Sequence, residues 1–228
     1  MLIPAALMII LAAFGSSLCW DTPNLRRFDQ PEGPDYFSGY IICLKNFKVI
    51  VMMIQYAACF GTEVTMNNLL PTYLRVYFEM SAGTAAFLAG MFGAMNIFAR
   101  SLGGILSDEM FARFGFRGRL WAQFIALLLQ GVFFWEFSQV TKNHEWYHLL
   151  GTIIPFSICV NLGEGTSYGI VPFVIKEQLA VVNAIVGASG TAGAVFASVF
   201  FYNHDWDDAR TPFAKHAQCV LMFFRIPR

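Results

Sequence analysis

A guanidinium in the middle of an apolar run is the residue best placed to do chemistry in this sequence. Arg100 stands inside the stretch 84–106, among Phe87, Phe92, Ile97 and Leu102. An arginine at mid-membrane depth costs at least about 2.5–3.5 kcal/mol on insertion scales, so it must face a cavity and meet a counter-charge or an anion. Its planar fork of N–H donors suits a flat, delocalised oxyanion that takes two parallel hydrogen bonds. At helical spacing Ala89, Gly93, Asn96, Gly103 and Gly104 share its face, which is small and polar enough for a helix or ligand to come close. The competing readings of Arg100 are a side chain that snorkels to the interface or pairs with a buried carboxylate. Glu63, in the run 47–70 with Asn67 one turn on, is an intramembrane carboxylate with two readings: proton coupling or gating on one side, counter-ion or packing partner on the other. Glu164, set among Gly163, Gly165 and Gly169 ahead of Pro172, is open in the same way between a titrating group and a structural pair.

The elements that must hold these residues are membrane spans. The 228 residues are 57% hydrophobic and only 13% charged, against about 25% charged in ordinary soluble domains. Six apolar runs, at 1–20, 47–70, 84–106, 120–140, 147–174 and 179–202, each approach the roughly 20 residues a spanning helix needs. A seventh begins near Phe213 and is too short to cross before Arg228. The expected fold class is therefore all-α and polytopic. Residues 1–20 form one helix, 21–46 a flexible connection marked by Pro23, Pro31, Glu32, Gly33 and Pro34, and 47–228 a bundle with a truncated last helix. The start without a charged leader reads as the interior of a longer polypeptide. With 21–46 cytoplasmic, Arg26, Arg27, Lys45, Lys48, Arg113, Arg117, Arg119, Lys176, Arg225 and Arg228 fall inside, against Arg75, Lys142, Arg210 and Lys215 outside, which obeys the positive-inside rule. The net charge of zero gives no field for nucleic acid. Cys19, Cys43, Cys59, Cys159 and Cys219 have no metal-ligand spacing and read as packing residues. His144, His148, His204 and His216 sit in or beside loops without a nucleophile or metal constellation, so neither a cofactor nor an enzymatic centre is expected. The acidic stretch from Asn203 to Asp208 reads as a solvated external loop.

The string GGILSDEMFARFGFRGR, with Gly104, Ser107, Asp108, Arg113, Gly115, Arg117 and Arg119, resembles the loop motif that major-facilitator transporters place between the second and third helices of each half. An aspartate at one helix end and arginines on the next can latch and release as two halves rock, which makes Asp108, Arg113 and Arg117 gating candidates. The string AGMFGAMNIFARSLGGILSD resembles the eighth helix of the nitrate/nitrite porter family, the high-affinity nitrate transporters of eukaryotes. That resemblance implies Arg100 as the anion ligand and Asn96 as a polar neighbour. QYAACFGTEVTMNN resembles the family's seventh helix, where Tyr56 and Phe60 match the position of an aromatic that helps enclose the anion; a core or lipid-facing aromatic pair is the alternative. NLGEGTSYGIVPFV resembles the tenth helix, and VVNAIVGASGTAGAVFASVF the glycine-rich signature of the eleventh, with Gly187, Gly190 and Gly193 either lining the path or packing against a helix. Where the family commonly has an asparagine after two glycines, this sequence has Ser189, Gly190 and Thr191, so a hydroxyl stands in for an amide as the implied anion donor.

Together these resemblances imply most of the C-terminal half of a plasma-membrane, multi-pass transporter. It would import nitrate or nitrite with protons for nitrogen assimilation, its site completed by the N-terminal half in the lipid bilayer. Two other readings stand beside this one. A major-facilitator transporter of another solute would keep Asp108 but has no need of Arg100 in that string; a nitrate sensor would keep the site without turnover.

Overall fold

The computed structural model describes residues 2–18, 36–142, 146–202 and 210–222, in two compact units, Met1–Ser38 and Gly39–Arg228. Cys19, Arg26, Arg27, the prolines of the 21–46 stretch, His144, the segment 203–208 with His204, and Arg225 and Arg228 lie outside the described residues. In the first unit α1 (Leu2–Leu18) is apolar, and its side chains from Ala6 to Phe14 are exposed, the surface of a helix made for an apolar environment.

The second unit is built from helices throughout, and no strand occurs among the described residues. Most of α2 (Tyr36–Lys45) belongs to it, a helix inside the stretch expected to be a flexible connection. Asn46 separates α2 from α3 (Phe47–Val76) and caps it, its Oδ1 accepting a hydrogen bond from the Lys48 amide at 2.9 Å. Then come α4 (Ala82–Ala94), α5 (Asn96–Phe114), α6 (Phe116–Gln139), α7 (Trp146–Ile170), two short 3₁₀ turns, α8 (Leu179–Phe201) and α9 (Arg210–Met222). The segments 47–76, 82–114, 116–139, 146–173 and 176–201 are long and apolar enough to cross a membrane. The run expected at 84–106 is two helices meeting at Met95, immediately before Asn96 and one turn before Arg100. α5 also runs on past the apolar segment, so the motif expected as a loop is helical on both sides of a single left-handed residue, Gly115 (φ 63°).

α3 packs along α8, α7 packs against both α5 and α6, and α9 lies on α6. Large apolar side chains such as Ile97, Ile105, Trp121, Phe124, Phe196 and Phe200 are exposed, while Gln123, Gln130, Ser157, Asn161, Glu164, Thr166 and Ser167 are buried. That inversion of soluble-protein order is what lipid as solvent demands. Many of the buried groups satisfy one another along α6 and α7: Thr166 donates to Gln123, whose amide donates to Ser167 at 2.9 Å. One apolar cluster around Tyr73, Phe92, Phe134, Phe156 and Phe213 and another around Val49, Tyr56, Cys59, Val182 and Val186 divide α3 between them, with Glu63 in the interval.

After α3 the Met80 amide reaches back to the Leu74 carbonyl at 3.3 Å, closing a turn that contains one left-handed residue. The left-handed position is occupied by Glu79 (φ 55°) where glycine is the usual residue. Its carboxylate meets Lys142 Nζ at 2.7 Å, and that ammonium holds the carboxyl below the ordinary carboxylate range. Glu79→Gly is expected to raise the melting temperature, because relief of the left-handed strain exceeds the loss of an exposed ion pair. A carboxyl with a lowered folded-state value contributes its pairing above the unfolded value and loses it as pH falls, so the advantage of glycine grows in acid. Thermal melting of the two proteins at neutral and acidic pH measures both effects; a lower melting temperature for the glycine variant in acid contradicts the strain.

Candidate functional site

Three helical faces converge near the middle of the spans. α3 supplies Tyr56, Phe60 and Glu63, α5 supplies Asn96 and Arg100, and α7 supplies Glu164 and Tyr168, each set one or two turns apart on its own helix. Arg100 Nη2 meets Glu63 Oε2 at 2.9 Å and also forms an ion pair with Glu164. Asn96 Nδ2 donates to the other Glu63 oxygen at 2.8 Å. The Arg100 side chain is 37% exposed, whereas Glu63 is 5% and Glu164 0% exposed. The pairing of Arg100 with a buried carboxylate, one of the readings its sequence left open, is therefore present twice over. The Arg100 Nε is buried and has no hydrogen-bond partner, so part of the guanidinium's donor capacity is unused among the described residues.

An aromatic wall stands beside it. Tyr56 and Phe60 stack with centroids 5.4 Å apart, Arg100 Cζ lies 5.9 Å from the Phe60 centroid, and Tyr168 meets Tyr56 edge-on at 5.2 Å. Gly190 on α8 lies directly behind the pair: a Cβ there would fall 2.6 Å from Phe60 Cδ1 and 2.9 Å from Tyr56 Cε1. Gly187 lies opposite the Tyr168 hydroxyl, which a Cβ would approach to 3.6 Å. Thr191, one turn beyond Gly187 on the same face, is exposed, and its hydroxyl donates to the Ala188 carbonyl at 2.8 Å. Tyr168 is a member of this cluster that motif reading missed; its position four residues after Glu164 was the available signal.

The motif at the end of α5 is assembled separately. Asp108 pairs with Arg119 of α6 at 2.7 Å, and Arg119 also donates to Ser107 at 3.0 Å. Its guanidinium lies 4.6 Å from the Phe111 centroid and 5.2 Å from that of Phe173, so the one buried arginine of the motif joins α5, α6 and the turn after α7. Arg113 pairs with Glu109 on its own helix at 2.6 Å, and Arg117 lines a shallow depression with Leu120, Trp121 and Phe124. Among the described residues no group of three His, Cys, Asp or Glu side chains is placed to hold a metal.

No family model matches the chain. Among curated proteins it is 35% identical over 211 residues to nitrate transporter 2.2 of Chlamydomonas reinhardtii, covering 88% of this chain and 40% of that protein. It is 36% identical over 162 residues to high affinity nitrate transporter 2.5 of Arabidopsis thaliana, covering 70% of this chain and 31% of that one. The chain belongs to the nitrate/nitrite porter family. A more distant member, the nitrate/nitrite transporter NrtP of a Picosynechococcus strain, is 27% identical over 150 residues. The chain spans about a third of the length of the curated relatives it matches. It is a multi-pass membrane protein in which two buried carboxylates, Glu63 and Glu164, meet Arg100 within the span.

Proposed function

We propose that this chain is part of a transporter that carries nitrate or nitrite across the plasma membrane together with protons, for nitrogen assimilation, and that Arg100 is its anion ligand. The observation that carries this reading is a partly exposed arginine at mid-span with a buried, unpartnered Nε, beside the Tyr56 and Phe60 wall. A flat monoanion can take two N–H donors from such a fork while its face lies against an aromatic ring. Asn96 holds Glu63 in place, Gly190 lets the aromatic wall lie flat on α8, and Gly187 and Thr191 present one face of α8 beside Tyr168. A second cationic residue is expected from the N-terminal half of the same transporter, the two halves rocking about the site. In this reading Asp108 and its partner Arg119, with Arg113 and Arg117 on the same two helices, latch the cytoplasmic face.

No covalent chemistry is needed. Anion entry against an inside-negative potential costs about 2.3 kcal/mol per charge per 100 mV, so a co-transported proton supplies both charge balance and drive. Glu63 and Glu164, the carboxylates on Arg100, are the candidates to carry it. The test is uptake of labelled nitrate by the full-length protein in proteoliposomes. Saturable uptake, inhibited by nitrite and accelerated by an inward proton gradient, is expected. Specific binding of nitrate without uptake points instead to a sensor, and uptake of an unrelated solute with no effect of nitrate overturns the anion assignment.

A further inference from the structure

The two carboxylates that meet Arg100 are held differently. Glu63 has a donor on each oxygen, Asn96 Nδ2 at 2.8 Å and Arg100 Nη2 at 2.9 Å. Glu164 is completely buried; it touches Arg100 Nη2 as an ion pair, yet neither of its oxygens receives a hydrogen bond from the described residues. Because both carboxylates meet one nitrogen atom, they also face each other at short range. One guanidinium charge balances only one of two carboxylates, so the cluster is left with one excess negative charge until it takes up a single proton. The carboxylate with a well-aligned donor on each oxygen is solvated by the protein as an anion; the one held only by the shared Arg100 nitrogen is the better home for the proton.

Resting on the reading of Arg100 as the anion ligand, we propose that Glu164 is the proton carrier of this site and Glu63 the fixed counter-ion that positions Arg100. A proton from the high-proton side adds to a Glu164 carboxylate oxygen. The neutral acid releases its hold on Arg100, and the freed N–H donors bind the anion. After the anion has left, the proton departs from Glu164 to the other side, and the carboxylate returns to the guanidinium. The anion thus competes with the Glu164 carboxylate for the same guanidinium, and the proton, by neutralising that carboxylate, makes anion affinity rise as pH falls. The other groups facing Glu164 fit a single switch. From α3 these are Glu63, Cys59 and Tyr56, from α5 Arg100, and on its own helix Tyr168, while α6 presents the neutral Gln130 beside Gly163.

Calorimetric titration of the purified full-length protein with nitrate, from mildly acidic to mildly alkaline pH, tests the assignment. Wild type is expected to bind more tightly as pH falls, approaching about tenfold per pH unit over the range in which one proton is taken up. Glu164→Gln, an isosteric neutral mimic of the acid, is expected to bind at every pH with the affinity wild type reaches only in acid, and to lose acceleration by a proton gradient. Glu63→Gln is expected to bind more weakly and to keep a pH slope displaced to lower pH, because Glu164 is then the one carboxylate that Arg100 balances, and Glu164→Asp to keep the slope too. Glu164→Gln with the wild-type slope overturns the assignment. So does a Glu164→Gln protein that elutes as a monodisperse species but binds nitrate at no pH, since Glu164 would then be a structural member of the site. A wild type that binds no nitrate at any pH overturns the anion reading itself, and the assignment with it.

Discussion

Arg100→Ala is expected to abolish nitrate uptake, with affinity lowered by at least about 100-fold. Two charge-assisted hydrogen bonds contribute about 1.5–3 kcal/mol each, and about 1.4 kcal/mol corresponds to a factor of ten. The loss is compounded by what remains, because Glu63 and Glu164 would then present uncompensated negative charge where an anion must sit. The same change destabilises the fold, since removing one partner of a buried ion cluster costs about 3–5 kcal/mol. The triple variant Arg100→Ala, Glu63→Gln, Glu164→Gln separates these effects: it removes the stranded charges, so its melting temperature is expected to recover while uptake stays absent. Arg100→Lys keeps a charge between the carboxylates but offers no planar fork, and is expected to melt near wild type and to transport poorly. Labelled-nitrate uptake and thermal melting across the four proteins decide the matter. An Arg100→Ala protein with wild-type affinity ends the assignment of Arg100 as the anion ligand.

Much of this was legible before any coordinates. Mean hydropathy of +0.54 and the spacing of the apolar runs gave the class of protein and the approximate position of the spans. Arg100 stood out as an expensive charge at depth, and Glu63 and Glu164 as two more. What spacing alone could not supply was their meeting. Helical periodicity says which residues share a face, as Asn96 and Arg100 do, but it does not say which faces of different helices oppose each other. Residues 63, 100 and 164 come together only because α5 packs closely on α7 and α7 on α3. Hence Arg100 could be read as anion ligand or ion-pair partner, and both carboxylates as proton site or counter-ion, without a decision. Boundaries failed for another reason. Apolarity ends where the lipid does, whereas backbone hydrogen bonding does not, so α5 carries on through Ser107 and Asp108 to Phe114. No proline marks the break at Met95, and Gly93 and Asn96 on either side of it read equally well as one small, polar helical face.

The close approach of α5 to α7 makes a glycine, rather than a charged residue, the other position of large effect. A Cβ on Gly165 would strike the Arg100 carbonyl oxygen and come within 2.9 Å of the Gly104 amide nitrogen and 3.0 Å of the Gly103 Cα. All three obstacles are backbone, so no rotamer change relieves the clash and the helices must part. Gly165→Ala is therefore expected to cost about 3 kcal/mol, the upper part of the range for overpacking a close-packed contact. Gly103→Ala is expected to behave alike, because its Cβ would meet the Leu162 Cα at 3.0 Å and the Gly165 Cα at 3.1 Å. The next residue supplies the contrast: a Cβ on Gly104 meets nothing within 4 Å, so Gly104→Ala should gain about 0.5–1 kcal/mol from the higher helix propensity of alanine. Melting temperatures of the three variants, expected to fall, fall and rise, test the packing directly. Since the atom struck by the Gly165 methyl belongs to Arg100, and Glu164 is the neighbour of Gly165 in the chain, the same methyl also pulls the guanidinium from its carboxylate. Transport by Gly165→Ala should accordingly fall even in the fraction that remains folded at low temperature. If that fraction transports at the wild-type rate, the separation of α5 from α7 does not govern the site.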